Sequence, residues 1–115
     1  MPVKIYHNPA CSKCRLSMSL LEEKGLEPNV IEYLSTPPGK QDLEEILGLL
    51  GMEPRDLMRK HEKPYTENNL DDPSLTRDQL IEAMINNPIL IERPIVISGN
   101  KAVIGRPPEK ILDIL

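Results

Sequence analysis

The chain has 115 residues, with 14 Lys plus Arg against 18 Asp plus Glu, and a formal net charge of −4. This length suits one domain, and 39% hydrophobic residues can bury a core, which argues against disorder. The negative charge, without a Lys/Arg run, argues against binding to nucleic acid or to an anionic membrane. No apolar run approaches the roughly 20 residues that span a bilayer, and the N-terminus lacks the order of a signal peptide. We therefore expect a cytoplasmic protein.

The first third of the chain has the pattern of a strand-helix-strand unit. Apolar and polar residues alternate over residues 3–6, which predicts a strand that stops at His7. After the cysteines, apolar residues at helical spacing predict an amphipathic helix that ends at Lys24 and Gly25. Residues 29–34 predict a second strand, and general rules of chain connection pair it in parallel with the first.

The middle of the chain is predicted to be helical. Apolar residues at helical spacing predict a helix over residues 43–50 that ends at Gly51, and a short helix is expected to begin at Pro54. Residues 61–75 are polar and are predicted to be irregular. The run from Thr76 to Gln79 has the form of a capping box, which predicts another helix.

The end of the chain predicts a hairpin and a last helix. Residues 95–97 and 102–104, separated by a Ser-Gly-Asn turn, have the composition of antiparallel strands. A final helix is expected from Pro107 onward, with Ile111, Leu112 and Leu115 on its apolar face. The predicted fold class is α/β, with a thioredoxin-like βαβ-ββα core and an all-helical insertion, about residues 36–90, between strands 2 and 3. We expect a single domain over residues 1–115.

Both cysteines lie in one tetrapeptide, Cys11-Ser12-Lys13-Cys14. A disulfide between them would close too small a loop to stabilise a fold, so a secreted protein held together by disulfides is excluded. Cys11 lies at the start of the predicted helix, where the helix N-terminus favours a thiolate, and is the expected nucleophile. Cys14, one turn further, could resolve a mixed disulfide or simply pack against the sheet. His7 could donate a hydrogen bond or positive charge to the thiolate, or be an ordinary loop histidine.

A zinc site is an alternative interpretation of the cysteine pair. Cys11, Cys14, His7 and His61 could nominally supply four ligands. No second Cys/His pair at short spacing accompanies them, however, and binding to zinc would prevent the Cys11 sulfur from acting as a nucleophile. We therefore predict no metal.

Three arginines are placed near the ends of predicted elements. Arg93 precedes the third strand, Arg106 follows the fourth, and Arg59 ends the short helix in the insertion. In a thioredoxin-like arrangement the residue before the third strand faces the cysteine loop, so we expect a cis peptide bond at Pro94. Several planar guanidinium groups can hold a doubly charged oxyanion, although any single arginine could equally be a solvated surface charge.

Several runs of the sequence together resemble the glutaredoxin-dependent arsenate reductases, the ArsC family, over nearly the whole chain. These runs are Ile5-Tyr-His-Asn-Pro-Ala-Cys11 with Arg15, Leu57-Met-Arg59-Lys60, Pro64-Tyr65, Ile91-Glu-Arg93-Pro-Ile-Val96 and Gly105-Arg-Pro-Pro108. The resemblance implies that Cys11 attacks arsenate and forms a thiol-arsenate adduct, and that His7 activates this cysteine. It implies that Arg59, Arg93 and Arg106 bind the oxyanion. It also implies glutathione as co-substrate, glutaredoxin as partner, no bound cofactor, and release of arsenite.

The sequence departs from the family at position 14, where members usually carry a hydroxyl residue and this chain has Cys14. The second thiol could resolve Cys11 internally and let thioredoxin act as reductant. Two other functions therefore stay open: a general thiol-disulfide oxidoreductase that uses both cysteines, and a redox-sensing regulator of the Spx type that binds RNA polymerase. The His7-Asn8-Pro9 and Arg106-Pro107-Pro108 runs favour the reductase. The chain ends within its last predicted helix, which resembles the shorter, chromosomal kind of member.

Overall fold

The computed structural model describes residues 2–115, which form two compact units. The first unit contains residues up to Thr36 together with Arg93–Leu115, and the second unit is Pro37–Glu92. The first unit holds the four strands of the sheet, and the second unit contains short helices and one isolated antiparallel bridge between Met58 and Ile91. The elements of the first unit are β1 (Val3–His7), α1 (Ser12–Glu23), β2 (Asn29–Glu32), β3 (Ile95–Ser98), β4 (Lys101–Ile104) and a 3-10 helix (Pro108–Ile114).

The sheet of the first unit has the strand order β2-β1-β3-β4. The β1 and β2 strands are parallel, β3 is antiparallel to β1, and β4 is antiparallel to β3, so the predicted parallel pair and the predicted hairpin are both confirmed. The α1 helix and the C-terminal 3-10 helix pack against each other. The hydrophobic core of this unit consists of Val3, Ile5, Leu21, Val96 and Ile111.

The second unit is built from short helices. They are α2 (Lys40–Leu50), a 3-10 helix (Pro54–Leu57), α3 (Lys63–Glu67), α4 (Arg77–Asn86) and a 3-10 helix (Pro88–Leu90). The predicted capping box at α4 is confirmed, because the Gln79 N–H donates to Thr76 Oγ1 at 3.2 Å and the Thr76 N–H donates to Gln79 Oε1 at 2.8 Å. The α2 helix ends as predicted at Gly51, which adopts the left-handed conformation with φ of +67°.

Several local predictions differ from the structure. The short helix that begins at Pro54 ends at Leu57, before Arg59. The β2 strand ends at Glu32, two residues earlier than predicted. The polar stretch over residues 61–75 contains the one-turn helix α3, which begins beside Pro64. The last element is a 3-10 helix, in which side chains three residues apart share a face. Pro108 and Ile111 are therefore buried, whereas Leu112 and Leu115, predicted on the apolar face, are exposed.

Candidate active site

Four segments of the first unit meet at one edge of its sheet. Because β1 and β2 are parallel, both end at this edge, where His7 pairs with Glu32. The antiparallel β3 begins there, since Ile95 pairs with Tyr6, and β4 ends there, since Ile104 pairs with Ile95. The segments that enter or leave the sheet at this edge are residues 8–11, 33–34, 93–94 and 105–106.

The loop between β1 and α1 is organised by Asn8, which is almost fully buried. Its backbone carbonyl accepts a hydrogen bond from the Cys11 N–H at 2.9 Å, and its side-chain Oδ1 accepts one from the Ala10 N–H at 3.0 Å. Arg15 Nη1 donates to the Pro9 carbonyl at 2.9 Å. These three bonds fix the backbone that presents Cys11 at the start of α1.

Cys11 is the N-cap residue of α1, and its side chain is 8% exposed. Burial by itself raises the pKa of this thiol, but hydrogen bonds to the sulfur outweigh burial and lower the pKa to about 7. The donors, in order of their effect, are the Cys14 backbone N–H, the Arg93 side chain, the Cys14 thiol and the Lys13 backbone N–H. A large fraction of Cys11 is therefore thiolate at neutral pH, as its position at the helix start predicts.

Cys14 has a different environment although it is only one turn away. It is fully buried, and burial is the main reason why its pKa lies well above the usual range. The Asn8 backbone N–H donates to Cys14 Sγ at 3.4 Å, and the neighbouring Cys11 sulfur also raises the Cys14 pKa. No disulfide joins Cys11 and Cys14 in this structure. At neutral pH Cys14 therefore keeps its proton, which it donates in a hydrogen bond to Cys11.

Arg93 and Arg106 lie at Cys11 within the first unit. Arg106 Nη2 is 3.7 Å from Cys11 Sγ, and Arg106 Nε donates to the Arg93 carbonyl at 2.7 Å. The Arg93 guanidinium hydrogen-bonds the Cys11 sulfur and also interacts with the phenol of Tyr33. The Arg93–Pro94 peptide bond is cis, as predicted, and so is the Arg106–Pro107 bond. Two positive charges thus face the sulfur.

Arg59 lies in the second unit, where it is held by acidic residues. Its Nη1 donates to Glu92 Oε1 at 2.6 Å and its Nε donates to Glu62 Oε2 at 3.2 Å. Its Nη2 lies 3.2 Å from His61 Nε2. The guanidinium therefore already neutralises carboxylates of its own unit.

His7 is the last residue of β1, next to Glu32. Burial is the main cause that lowers the pKa of this imidazole, Glu32 counteracts it, and Arg15 lowers the pKa further. Within residues 2–115, the buried His7 Nδ1 has no hydrogen-bond partner. His7 is thus a neutral imidazole near neutral pH, and the donors that lower the Cys11 pKa are other groups.

Comparison with known proteins identifies the family of this chain. The model of the ArsC family matches residues 6–114. The chain belongs to the ArsC family. The uncharacterized protein YfgD of Escherichia coli K12 is 54% identical over 98% of this chain and 96% of its own length. An arsenate reductase of Neisseria meningitidis is 46% identical over 98% of this chain and 97% of its own. The solved structure of an arsenate reductase from Vibrio cholerae superimposes with a TM-score of 0.97 at 49% identity, covering 100% of this chain and 98% of that one.

Membership of the ArsC family also identifies the fold. The four-stranded mixed sheet with its helices is the thioredoxin-like α/β fold of ArsC structures. In the described part of the chain, no group of three or more His, Cys, Asp or Glu side chains could hold a metal ion. No helix in residues 2–115 is long and apolar enough to cross a membrane.

Two further residues of this candidate site, Asn8 and Tyr33, are not singled out by the sequence patterns. Asn8 was recognised only as part of a motif, whereas its backbone and side chain organise the cysteine loop. The sequence predicts Tyr33 only as part of the second strand, whereas in the structure its phenol interacts with Arg93. The predicted strand order offers one signal for Tyr33. A residue that directly follows a strand parallel to β1 lies at the same edge of the sheet as the cysteine loop.

Proposed function

We propose that this protein is an arsenate reductase in which the Cys11 thiolate attacks arsenate. The observation that carries the proposal is the Cys11 sulfur, with a lowered pKa, beside Arg93 and Arg106. Arginine is the side chain best suited to tetrahedral oxyanions, because its planar donors match two oxygens at once. The two arginines would hold the anion against the sulfur despite the net charge of −4.

The proposed chemistry reduces As(V) to As(III). The Cys11 thiolate forms a bond to arsenic, and one arsenate oxygen leaves as water after taking up protons. Glutathione then attacks the arsenic of this adduct and displaces a second oxygen as water. A glutaredoxin thiolate next attacks the glutathione sulfur, which breaks the bond between that sulfur and arsenic, leaves its electron pair on arsenic and releases the mixed disulfide of glutaredoxin and glutathione. The two electrons that arsenic gains come from these two thiols, and hydrolysis of the remaining sulfur-arsenic bond releases arsenite and regenerates Cys11.

The other roles in this proposal follow the family resemblance. Arg59 would bind the oxyanion together with Arg93 and Arg106, and His7 would assist the activation of Cys11. Glutathione is the co-substrate, glutaredoxin is the partner, no cofactor is bound, and the reaction takes place in the cytoplasm. The helices between β2 and β3 would form an insertion in the thioredoxin-like core of a single domain.

A coupled assay tests the proposed function. Arsenate-dependent oxidation of NADPH is measured with glutathione, glutaredoxin and glutathione reductase. We expect the wild type to turn over arsenate and Cys11→Ser to show no turnover. In Arg93→Ala and Arg106→Ala we expect kcat/KM to fall at least tenfold, because each substitution removes about one charged hydrogen bond to the oxyanion. Arg77→Ala is the matched control, because Arg77 pairs with Glu44 and Glu53 in the second unit. Absence of turnover in the wild type, or full activity in Cys11→Ser, would refute the proposal.

A general thiol-disulfide oxidoreductase is the second candidate, and the hydrogen bond between the two cysteines favours it. Cys14 would attack a mixed disulfide at Cys11, which expels the partner thiol and leaves a Cys11–Cys14 disulfide. The test is mass spectrometry of the protein after oxidation, together with the activity of Cys14→Ser. If no intramolecular disulfide forms and Cys14→Ser keeps full activity with arsenate, this candidate fails and the arsenate reductase stands alone.

A further inference from the structure

Asn8 is a polar side chain buried in the loop that joins β1 to α1. Only 8% of it is exposed, and burial of an amide costs free energy unless its polar atoms are hydrogen-bonded. Its Oδ1 accepts a hydrogen bond from the Ala10 N–H at 3.0 Å. The Asn8 side chain therefore bonds to the backbone of its own loop, one residue before Cys11.

The main chain of Asn8 holds the same loop at two further points. Its carbonyl accepts a hydrogen bond from the Cys11 N–H at 2.9 Å. Its N–H donates to the sulfur of Cys14, a fully buried residue in the first turn of α1, at 3.4 Å. One residue thus contacts the residue before Cys11, Cys11 itself and the helix that follows. The bond from Ala10 is the one that depends on the side chain at position 8.

These bonds also determine which groups can face the Cys11 sulfur. The N–H groups of Ala10 and Cys11 are directed at the two oxygens of Asn8, so they do not point at an anion bound beside the sulfur. Side chains are left to bind such an anion, and Arg106 Nη2 lies 3.7 Å from Cys11 Sγ. The distance between sulfur and guanidinium depends on where the loop places Cys11.

We propose that Asn8 is a positioning residue, whose side-chain oxygen holds the loop in the conformation that keeps the Cys11 sulfur at the start of α1 and beside Arg106. The inference rests on the proposed function in taking Cys11 as the nucleophile. In that reaction Asn8 makes no bond to arsenic and moves no proton. It acts through the loop backbone and keeps the sulfur preorganised.

The first test is the pH profile of Cys11 alkylation in two variants. Asn8→Leu keeps a side chain of similar size without an acceptor, and Asn8→Ser keeps a neutral oxygen that can accept from the N–H two residues later. Iodoacetamide is the probe, and mass spectrometry quantifies the product. Trypsin cleaves after Lys13 and so separates Cys11 from Cys14. Each rate is divided by its plateau at high pH, so that altered access to the sulfur does not enter.

We expect the normalised rate of Asn8→Leu at pH 7 to fall about 2- to 5-fold, as a rise of the Cys11 pKa from about 7 to about 7.5–8 produces. The reason is that a loosened loop holds the sulfur at the helix N-terminus for less of the time. Asn8→Ser should lie between Asn8→Leu and the wild type. Asn87→Leu is the matched control, because Asn87 Nδ2 donates to the Ala83 carbonyl at 3.0 Å in the second unit, and should leave the profile unchanged.

Two outcomes of the alkylation test would overturn the inference. One is a profile of Asn8→Leu equal to that of Asn87→Leu, because the loop would then place the sulfur without the side chain of Asn8. The other is a profile of Asn8→Ser shifted as far as that of Asn8→Leu, because the oxygen would then not be the group that acts.

The second test needs no variant to fold. Hydrogen exchange of the Ala10 amide is measured by NMR in the wild type and compared with an unprotected peptide of the same sequence. We expect exchange to be slower in the protein by about tenfold or more, because the N–H is bonded to Asn8 Oδ1. Exchange at the rate of the peptide would overturn the inference, since the side-chain bond would then not hold the loop.

Arsenate turnover of the same variants keeps the two proposals distinguishable. We expect Asn8→Leu to lower kcat/KM for arsenate by about 2-fold or more, while Asn87→Leu does not. Alkylation and hydrogen exchange need no arsenate. A wild type without arsenate turnover therefore refutes the proposed function, and the positioning role of Asn8 is then decided by those two measurements alone.

Discussion

At the scale of single residues, the two cysteines differ because their surroundings differ. Cys11 receives hydrogen bonds from the Cys14 N–H, from Arg93 and from the Cys14 thiol, which together lower its pKa. Cys14 is fully buried inside the unit, and burial keeps it a thiol. The same residue type thus ionises readily at one position and remains a protonated hydrogen-bond donor three residues later.

Gly105 is a second residue whose surroundings decide its identity. A Cβ atom on Gly105 would lie 2.8 Å from Pro94 Cγ and 2.8 Å from Ser17 Oγ, closer than such atoms approach one another. The proline ring is rigid and Ser17 is fully buried, so neither neighbour can withdraw freely. Gly105 therefore lets the end of β4 approach the Arg93–Pro94 segment, where its N–H donates to the Pro94 carbonyl at 2.9 Å.

Gly105→Ala is expected to lower the free energy of unfolding by about 1–3 kcal/mol, the usual cost of overpacking. Denaturation in urea measures this change. Gly48→Ala is the control, because a Cβ on Gly48 in α2 would meet nothing within 4 Å. It should raise the free energy of unfolding by about 0.5–1 kcal/mol through helix propensity. Equal stability of Gly105→Ala and the wild type would contradict the packing seen at this edge.

At the scale of elements, the C-terminal 3-10 helix shows how the helix type determines which residues are buried. A repeat of three residues buries Pro108 and Ile111 and partly buries Ile114. The 3.6-residue repeat of an α-helix would instead have placed Ile111 and Leu115 on one face. Ile111 packs in the core of the first unit, whereas Leu112 is 38% exposed.

This difference predicts unequal effects of two adjacent truncations. Ile111→Ala should lower the free energy of unfolding by about 2–5 kcal/mol, because it opens a cavity in the core. Leu112→Ala removes a similar side chain from an exposed position and should cost less than about 1 kcal/mol. Thermal and urea denaturation of the two variants check the prediction. Equal losses of stability would indicate that the segment packs as an α-helix.

At the scale of the whole molecule, ionisation of Cys11 contributes to the pH dependence of stability. Its pKa is about 7 in the folded protein, against an ordinary value of 9.0 for an unperturbed thiol. Between these values the unfolded chain binds more protons than the folded chain, so the free energy of unfolding rises with pH. The contribution is complete above the unperturbed pKa and is lost as the pH falls through about 7.

We expect the free energy of unfolding of the wild type to gain about 1–2 kcal/mol relative to Cys11→Ser between pH 7 and pH 9. Urea denaturation of both proteins under reducing conditions, at several pH values, measures the difference. Other titrating groups are common to the two proteins and largely cancel, including Cys14, which opposes the rise near the top of this range. Parallel pH profiles for the two proteins would show that the folded Cys11 has an ordinary pKa.

The sequence by itself determined the features that depend on neighbours along the chain. The capping box at Thr76, the end of α2 at Gly51 and the helix that begins after Cys11 all follow from residues within a few positions of one another. The same local signals predicted the strand-helix-strand unit and the hairpin. The motifs around Cys11, Arg93 and Arg106 also led to the ArsC family, which the comparison confirmed.

Only the tertiary structure decided which distant residues share the candidate site. Arg106 reaches the Cys11 sulfur from 95 positions away in the chain, and Tyr33 meets Arg93 because β2 and β3 flank β1 in the sheet. No local pattern encodes such contacts, since they depend on strand order and register. The hydrogen bond between Arg59 and Glu92 also joins residues 33 positions apart, so no local pattern predicts it. Local sequence specifies helices, turns and the position of Cys11 at a helix start, whereas the pairing of strands across the sheet brings together the groups that lower the pKa of its thiol.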